Sequence, residues 1–187
     1  MISSAYELHT YSGFEPSLAF DVVYGGHFEH RLISAKRADL MHQRLVLEDV
    51  RVECGYYNFP VIGQGAMPPD SVCIGLVEEG TEVTRCNIQS IAEDEVQVYS
   101  PGAELMYHAT GSSRWINFAL PQAKLQEVAQ ARLGRPLELS RRSFVPYRLL
   151  RNRRVGLQQL AHDAFALAKA LQPGCIGPQL AREMSRV

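Results

Sequence analysis

Two histidines in HFEH, at 27 and 30, and a lone His108 in YSPGAELMYHATGSSRWINFAL (residues 99–120) are the groups best suited to metal or proton chemistry. A metal centre needs two or three His or carboxylate ligands whose spacing brings them to one face. Residues 27 and 30 fall on opposite faces of a strand, so they do not share an ion there. His9, His42 and His162 have no partner at ligand spacing, and Val72–Ile88 contains no histidine. His108 alone reads most simply as a hydrogen-bonded structural residue. Nucleophile chemistry has no stronger footing: there is no GxSxG, no P-loop and no GxGxxG after a strand. No catalytic residue, metal ligand or cofactor is assigned.

Aromatic residues are the other candidates. Tyr56, Tyr57, Phe59, Tyr99, Tyr107, Trp115 and Phe118 all fall between residues 56 and 118. Two readings stand: core packing, since strands favour aromatics, or the walls of a mostly apolar ligand cavity. Tyr57, Phe59, Arg85, Tyr107 and Trp115 are the candidate ligand-binding set. Arg85 and Arg114, each beside a turn, either meet an anion at the cavity mouth or face solvent.

The elements that must hold these residues are mainly strands. Between 18 and 120, runs rich in Val, Ile, Tyr and Phe are broken by Gly, Pro, Asn and Asp at intervals of ~8–12 residues, as in a sandwich or barrel. The runs predict strands over 20–24, 27–34, 37–42, 44–53, 55–61, 71–77, 82–88, 96–99, 104–109 and 114–119. A hairpin centred on Glu79-Gly80 would set Val77 opposite Glu82, Ile74 opposite Arg85 and Cys73 opposite Cys86. A second, centred on Gly111-Ser112 with a type II′ turn, would set Tyr107 against Ile116 and His108 against Trp115. Which face of that hairpin points inward is left open.

After Leu120 the apolar period changes to helical. PQAKLQEVAQARLG opens on Pro and closes on Gly, with Leu125, Val128, Ala129 and Leu133 on one face. RPLELSRRSFVPYRLLRNRR carries two prolines and reads as extended. A helix over roughly 153–171 follows, with Leu157, Leu160, Ala164, Leu167 and Leu171 spaced 3, 4, 3, 4. That narrow seam suits helix–helix packing, either between chains or onto the first helix. A third helix opens near Pro178 and runs into AREMSRV without a stop signal.

Composition bounds the rest. A chain of 187 residues with 46% hydrophobic and 21% charged residues can bury a sizeable core. Apolar runs fall well short of the ~18 residues that cross a bilayer. The N-terminus lacks the basic-then-apolar layout of a secretory signal, so the expected location is cytoplasmic, with no membrane partner. Cys54, Cys73, Cys86 and Cys175 show no CxxC spacing and read as reduced, buried thiols. Net charge is −1, yet the segment 132–154 holds eight Arg against one acid, leaving 11 basic and 19 acidic residues elsewhere. This basic strip is either a solvated linker against an acidic body or a phosphate-facing segment.

The order of these pieces resembles the N-terminal regulatory half of AraC-type transcription regulators. The resemblance rests on SVCIGLVEEGTEVTRCNI, then DEVQVYSPGAELMYHATGSSRWINFALP, then helices bearing the seam. The turn Ser100-Pro101-Gly102 follows the strand EVQVY, and Leu120-Pro121 opens the first helix. The match is firmer from about 45 to 187 than before it. It implies a mainly β fold with C-terminal helices: a cupin-like double-stranded β-helix barrel over 1–120 and a helical dimerisation segment over 121–187. It further implies a small-molecule effector, a homodimer through the 157–171 seam, no enzymatic activity, and promoter DNA bound only through helix-turn-helix units that this sequence does not contain. No counterpart of the sugar-sensing members' N-terminal arm is found, so sugar binding is not implied. The rival from another class is a metal-dependent cupin enzyme such as a dioxygenase or isomerase. In such enzymes the ligand histidine comes five residues after the turn proline, where this sequence has Met106.

Overall fold

A computed structural model of the chain describes residues 5–12, 23, 25–32, 39–140 and 144–170. The expected strand at 20–24 (Val23 apart), the third helix, Leu171 and Cys175 lie outside the described residues. Within them the fold is mainly β, with two helices. The elements in chain order are β1 (Ala5–Ser12), β2 (His27–Leu32), β3 (Asp39–Leu47), β4 (Val50–Tyr57), β5 (Val61–Ala66), β6 (Ser71–Glu79), β7 (Thr84–Cys86), β8 (Gln89–Ser90), β9 (Glu95–Tyr99), β10 (Glu104–Ala109), β11 (Ser113–Pro121), α1 (Gln122–Leu133), β12 (Phe144–Arg148) and α2 (Arg151–Ala170).

Two antiparallel sheets face each other. The larger runs β1-β3-β4-β11-β6-β9-β12 and the smaller β2-β5-β10-β7-β8. The expected mainly β, barrel-like fold with C-terminal helices is present, and among the described residues its two sheets pack face to face without closing into one hydrogen-bonded ring. Side chains alternate along each strand, so each sheet has two distinct faces. Cys73 and Val77 of β6, Tyr99 of β9 and Ala119 of β11 meet Phe28, Cys86 and Leu105 of the smaller sheet between the layers. The alternate residues Leu45, Val52, Leu76, Val96 and Ile116 form a second core on the back of the larger sheet, covered by Ala161, Phe165 and Ala168 of α2.

Neither expected hairpin forms. β6 pairs with β11 and β9, whereas β7 pairs with β10 and β8 in the other sheet. Likewise β10 and β11 lie in different sheets, so Tyr107 does not pair with Ile116, nor His108 with Trp115. The links 80–83 and 110–112 are corners that carry the chain across the sandwich. At the first, Gly80 takes a positive φ of 83°, and Val83 N–H and Thr84 Oγ1 both donate to its carbonyl, at 3.3 and 2.6 Å. The corners also brace each other. Thr110 N–H donates to Val83 O at 3.0 Å, and a Cβ on Gly80 would sit 2.3 Å from Ser112 O. Gly111 does not adopt the positive φ of a type II′ turn. A bend held by helical-type hydrogen bonds turns the chain out of plane, which a two-residue hairpin turn does not.

α1 ends as its sequence predicts, at Gly134 in the left-handed region with φ 69°. Its apolar face is less covered than expected: Ala129 is buried, but Val128 is 50% and Leu133 58% exposed. Within the Arg-rich stretch Phe144–Arg148 is extended as expected, and as β12 it adds to the free edge of the larger sheet beside β9, whereas Arg151, Arg153 and Arg154 already belong to α2. Pro146 within it fits an edge position.

Candidate functional site

Glycines in the strands let rings lie flat on the sheets. In the larger sheet Gly55 is in register with Trp115, and a Cβ there would fall 2.4 Å from the indole. Gly75 lies under Tyr99, whose ring would stand 3.1 Å from such a Cβ. In the smaller sheet Gly63 sits between His30 and Tyr107, 3.3 Å from the imidazole by the same measure. A side chain at any of the three would push a ring into the space between the layers. That space is a cavity of about 80 Å³.

Its walls are apolar: Phe28, Met67, Leu105 and Val77, with the rings of Tyr57, Tyr99, Tyr107 and Trp115. Polar atoms are few. Tyr107 donates to Ser113 Oγ at 2.8 Å, and the Tyr99 hydroxyl and Cys86 thiol are paired at 3.5 Å. Asn117, only 4% exposed, finds no hydrogen-bond partner for either amide atom. Burial raises the Cys73 thiol to about 12, and the nearby Asn117 amide offsets only part of that rise, the two lying outside hydrogen-bonding geometry. Gln97, 2% exposed, leaves Nε2 unpartnered, and so does His30 at Nδ1. Buried unsatisfied groups are rare in folded chains, and each costs about 1–3 kcal/mol.

Every titratable group on the walls is held neutral at pH 7. Burial lowers His30 to about 4, and raises Cys86 to about 11 and Tyr107 to about 12. Burial also pushes Tyr57 and Tyr99 well above the usual phenol range. Among the described residues no Lys, Arg, Asp or Glu lines the cavity. A buried ion pair lies further along the inner face, where Arg44 Nε and Glu53 Oε1 meet at 2.8 Å. His42, beside Glu53 at 3.7 Å, packs its ring 5.8 Å from that of Trp115.

Of the residues expected from sequence, Tyr57, Tyr107 and Trp115 line this cavity. Phe59 stands behind them, edge-on to Tyr57 at 5.5 Å, in a cluster with Leu40, Val61 and Ala109. Arg85 is directed away, donating to the Glu82 and Thr84 carbonyls. Arg114 covers Tyr56 and approaches Glu79 at 3.3 Å. Leu105 and Tyr107 are the inward pair of β10, while Trp115 and Asn117 are the inward pair of β11, so His108 faces away from the cavity. Gln97 and Asn117 escape the sequence reading, which weighs His30 only as a metal ligand. The signal for the two is a polar residue at an inward position between apolar neighbours: Val96-Gln97-Val98 and Ile116-Asn117-Phe118. Among the described residues no three His, Cys, Asp or Glu side chains converge as a metal-holding group. Cys54, Cys73 and Cys86 are free and buried.

Of the expected seam on α2, Leu157 and Ala164 pack against the core behind the larger sheet, Leu160 is part-buried and Leu167 is 40% exposed. α2 is also tied to β6 by polar contacts. Arg154 donates to Val77 O, and His162 Nε2 meets Glu78 Oε1 at 2.8 Å. No helix among the described residues is long and apolar enough to cross a membrane.

The fold and site together define a two-sheet β-sandwich with an internal, uncharged cavity and a helix across its back. No family model matches the chain, and no curated protein matches it. Among solved structures it is similar to the AraC-like transcriptional activator CuxR, with a TM-score of 0.48 and 16% sequence identity. The alignment covers 85% of this chain and 57% of that one, so the chain spans just over half the length of that activator.

Proposed function

We propose that this chain is the effector-sensing and dimerisation part of an AraC-type transcription regulator, working in the cytoplasm and not as an enzyme. The observation that carries the sensing role is the apolar cavity with unpartnered polar atoms on three of its lining side chains: His30 Nδ1, Gln97 Nε2 and both amide atoms of Asn117. The sequence resemblance supplies the regulatory context. Residues 1–120 sense the effector, residues 121–187 form the dimerisation segment, and promoter DNA is engaged through helix-turn-helix units of the same regulator.

The route from cavity to helix is short. Leu76 and Ile116 border the cavity and also belong to the core that α2 covers. Val77 lines the cavity, and its carbonyl accepts from Arg154 of α2. A ligand that moves β6 therefore acts on α2 through one layer of sheet. It shifts the dimer population only by its differential affinity for the two arrangements.

The test is a thermal-shift screen of small metabolites followed by sedimentation of the chain with each binder. A binder of the native state raises its melting temperature. The expected result is at least one binder that also changes the monomer–dimer ratio. Binders that never change it, or a stoichiometric transition metal in the purified protein, would overturn the reading.

A further inference from the structure

The cavity's unpartnered polar atoms are arranged in register. Asn117 of β11 is opposite Gly75 of β6, and Gly75 is opposite Gln97 of β9. Neighbouring strands lie about 4.8 Å apart, so two carboxamides stand about 10 Å apart at their bases, either side of a glycine over which the edge of the Tyr99 ring reaches. The Tyr99 ring bounds that gap on one side, 3.1 Å from where a Cβ of Gly75 would be. From the facing sheet His30 adds an unpartnered Nδ1. The smaller sheet repeats the layout, with Gly63 between His30 and Tyr107.

We infer that the ligand is a compact, uncharged carboxamide or lactam, docked by its amide edge on Asn117 and Gln97 with its hydrocarbon part against Val77, Leu105 and Phe28. This rests on the cavity being the effector site.

Three observations select that chemistry. Both amide atoms of Asn117 lack partners, so either orientation of the group offers one donor and one acceptor side by side. The complement of that pair is another amide edge. Gln97 Nε2 supplies a further donor, which suits the second lone pair of the ligand carbonyl. Charge is disfavoured because, among the described residues, the cavity lining holds no charged side chain and His30 is neutral at pH 7, so a carboxylate or ammonium would have no lining counter-charge. Size is bounded too. The cavity's 80 Å³ is roughly half the ~150 Å³ that encloses benzene, so the ligand has fewer non-hydrogen atoms than benzene's six. A sugar exceeds that size and carries more hydroxyls than the walls could satisfy.

The experiment is a ¹H–¹⁵N NMR titration of the chain with propionamide, using propionate and propylamine as charged controls of similar size. The expected result is saturable movement of the Asn117 and Gln97 side-chain NH₂ signals by propionamide, at concentrations about tenfold below any effect of the controls. Asn117→Leu should abolish the saturable response while keeping or raising the melting temperature, because it removes two unsatisfied atoms. If that variant does not fold, Gln97→Met carries the same test. Controls that bind as well as the amide, an amide response that survives both substitutions, or no saturable response overturns the inference. Amide binding that leaves the monomer–dimer ratio unchanged counts against the regulatory reading alone.

Discussion

His30 is a base held inside an apolar wall, and its protonation opposes folding. Burial lowers its folded-state value from 6.5 to about 4. Between those values the unfolded chain binds a proton that the folded chain refuses, so stability is complete above pH 6.5 and declines as pH falls towards 4. At 1.36 kcal/mol per unit the decline is at most about 3 kcal/mol. Urea denaturation at pH 7 and pH 4.5 should show a smaller loss for His30→Gln than for the wild type. An identical loss in both proteins would mean that His30 is solvated when folded. Gly55 makes a second residue-scale prediction. A Cβ at this position would meet the Trp115 ring at 2.4 Å, and the indole is hemmed by His42 and Tyr57. Gly55→Ala should therefore destabilise the fold by about 1–3 kcal/mol, read from the denaturation midpoint, and displace a cavity wall. A neutral result would show that the ring has room to retreat.

At the scale of elements, α2 is anchored by residues that its hydrophobic spacing did not single out. The seam read from the sequence is Leu157, Leu160, Ala164, Leu167 and Leu171, whereas the buried stripe is Ala161, Phe165 and Ala168, with only Leu157 and Ala164 of the seam beside it. Alanines count little in a pattern of large apolar residues, yet they let a helix approach a sheet closely. Phe165→Ala should cost about 3–5 kcal/mol of stability by denaturation, since the ring fills the layer between helix and sheet. Strands were legible wherever polar and apolar residues alternate, as in β9, β10 and β11. VIGQGA of β5 was not, because its glycines exist for long-range reasons: a Cβ on Gly65 would fall 1.9 Å from His27 O. Strand pairing was misread at both corners because Glu79-Gly80 and Gly111-Ser112 look locally like hairpin turns, and only the braced contacts between the links show otherwise. The aromatic walls were legible for the same reason as the strands. Asn117, Gln97 and His30 were not, since their significance lies in what fails to partner them.

At the scale of the molecule, the proposed dimer must use what α2 leaves uncovered by its own chain. The sheet already claims Leu157 and Ala164, so Leu160 and Leu167, seven residues apart and on one stripe, are the apolar positions of the seam with surface to offer. This separates two kinds of substitution on one helix. Leu167→Glu places a charge on the exposed stripe, at a position outside the described core behind the larger sheet, so the monomer fold should persist. In a dimer the same charge would be buried without a partner, which association tolerates poorly. Sedimentation velocity should therefore show Leu167→Glu as a monomer with an unchanged far-UV circular dichroism spectrum, whereas Phe165→Ala loses stability in both states. Because the proposed ligand acts through β6 on this helix, the amide-bound chain should differ from the free chain in dimer affinity. Leu167→Glu should bind the ligand yet show no such difference. A Leu167→Glu protein that remains dimeric would place the interface elsewhere, with the exposed Val128 and Leu133 of α1 as the next surface to substitute.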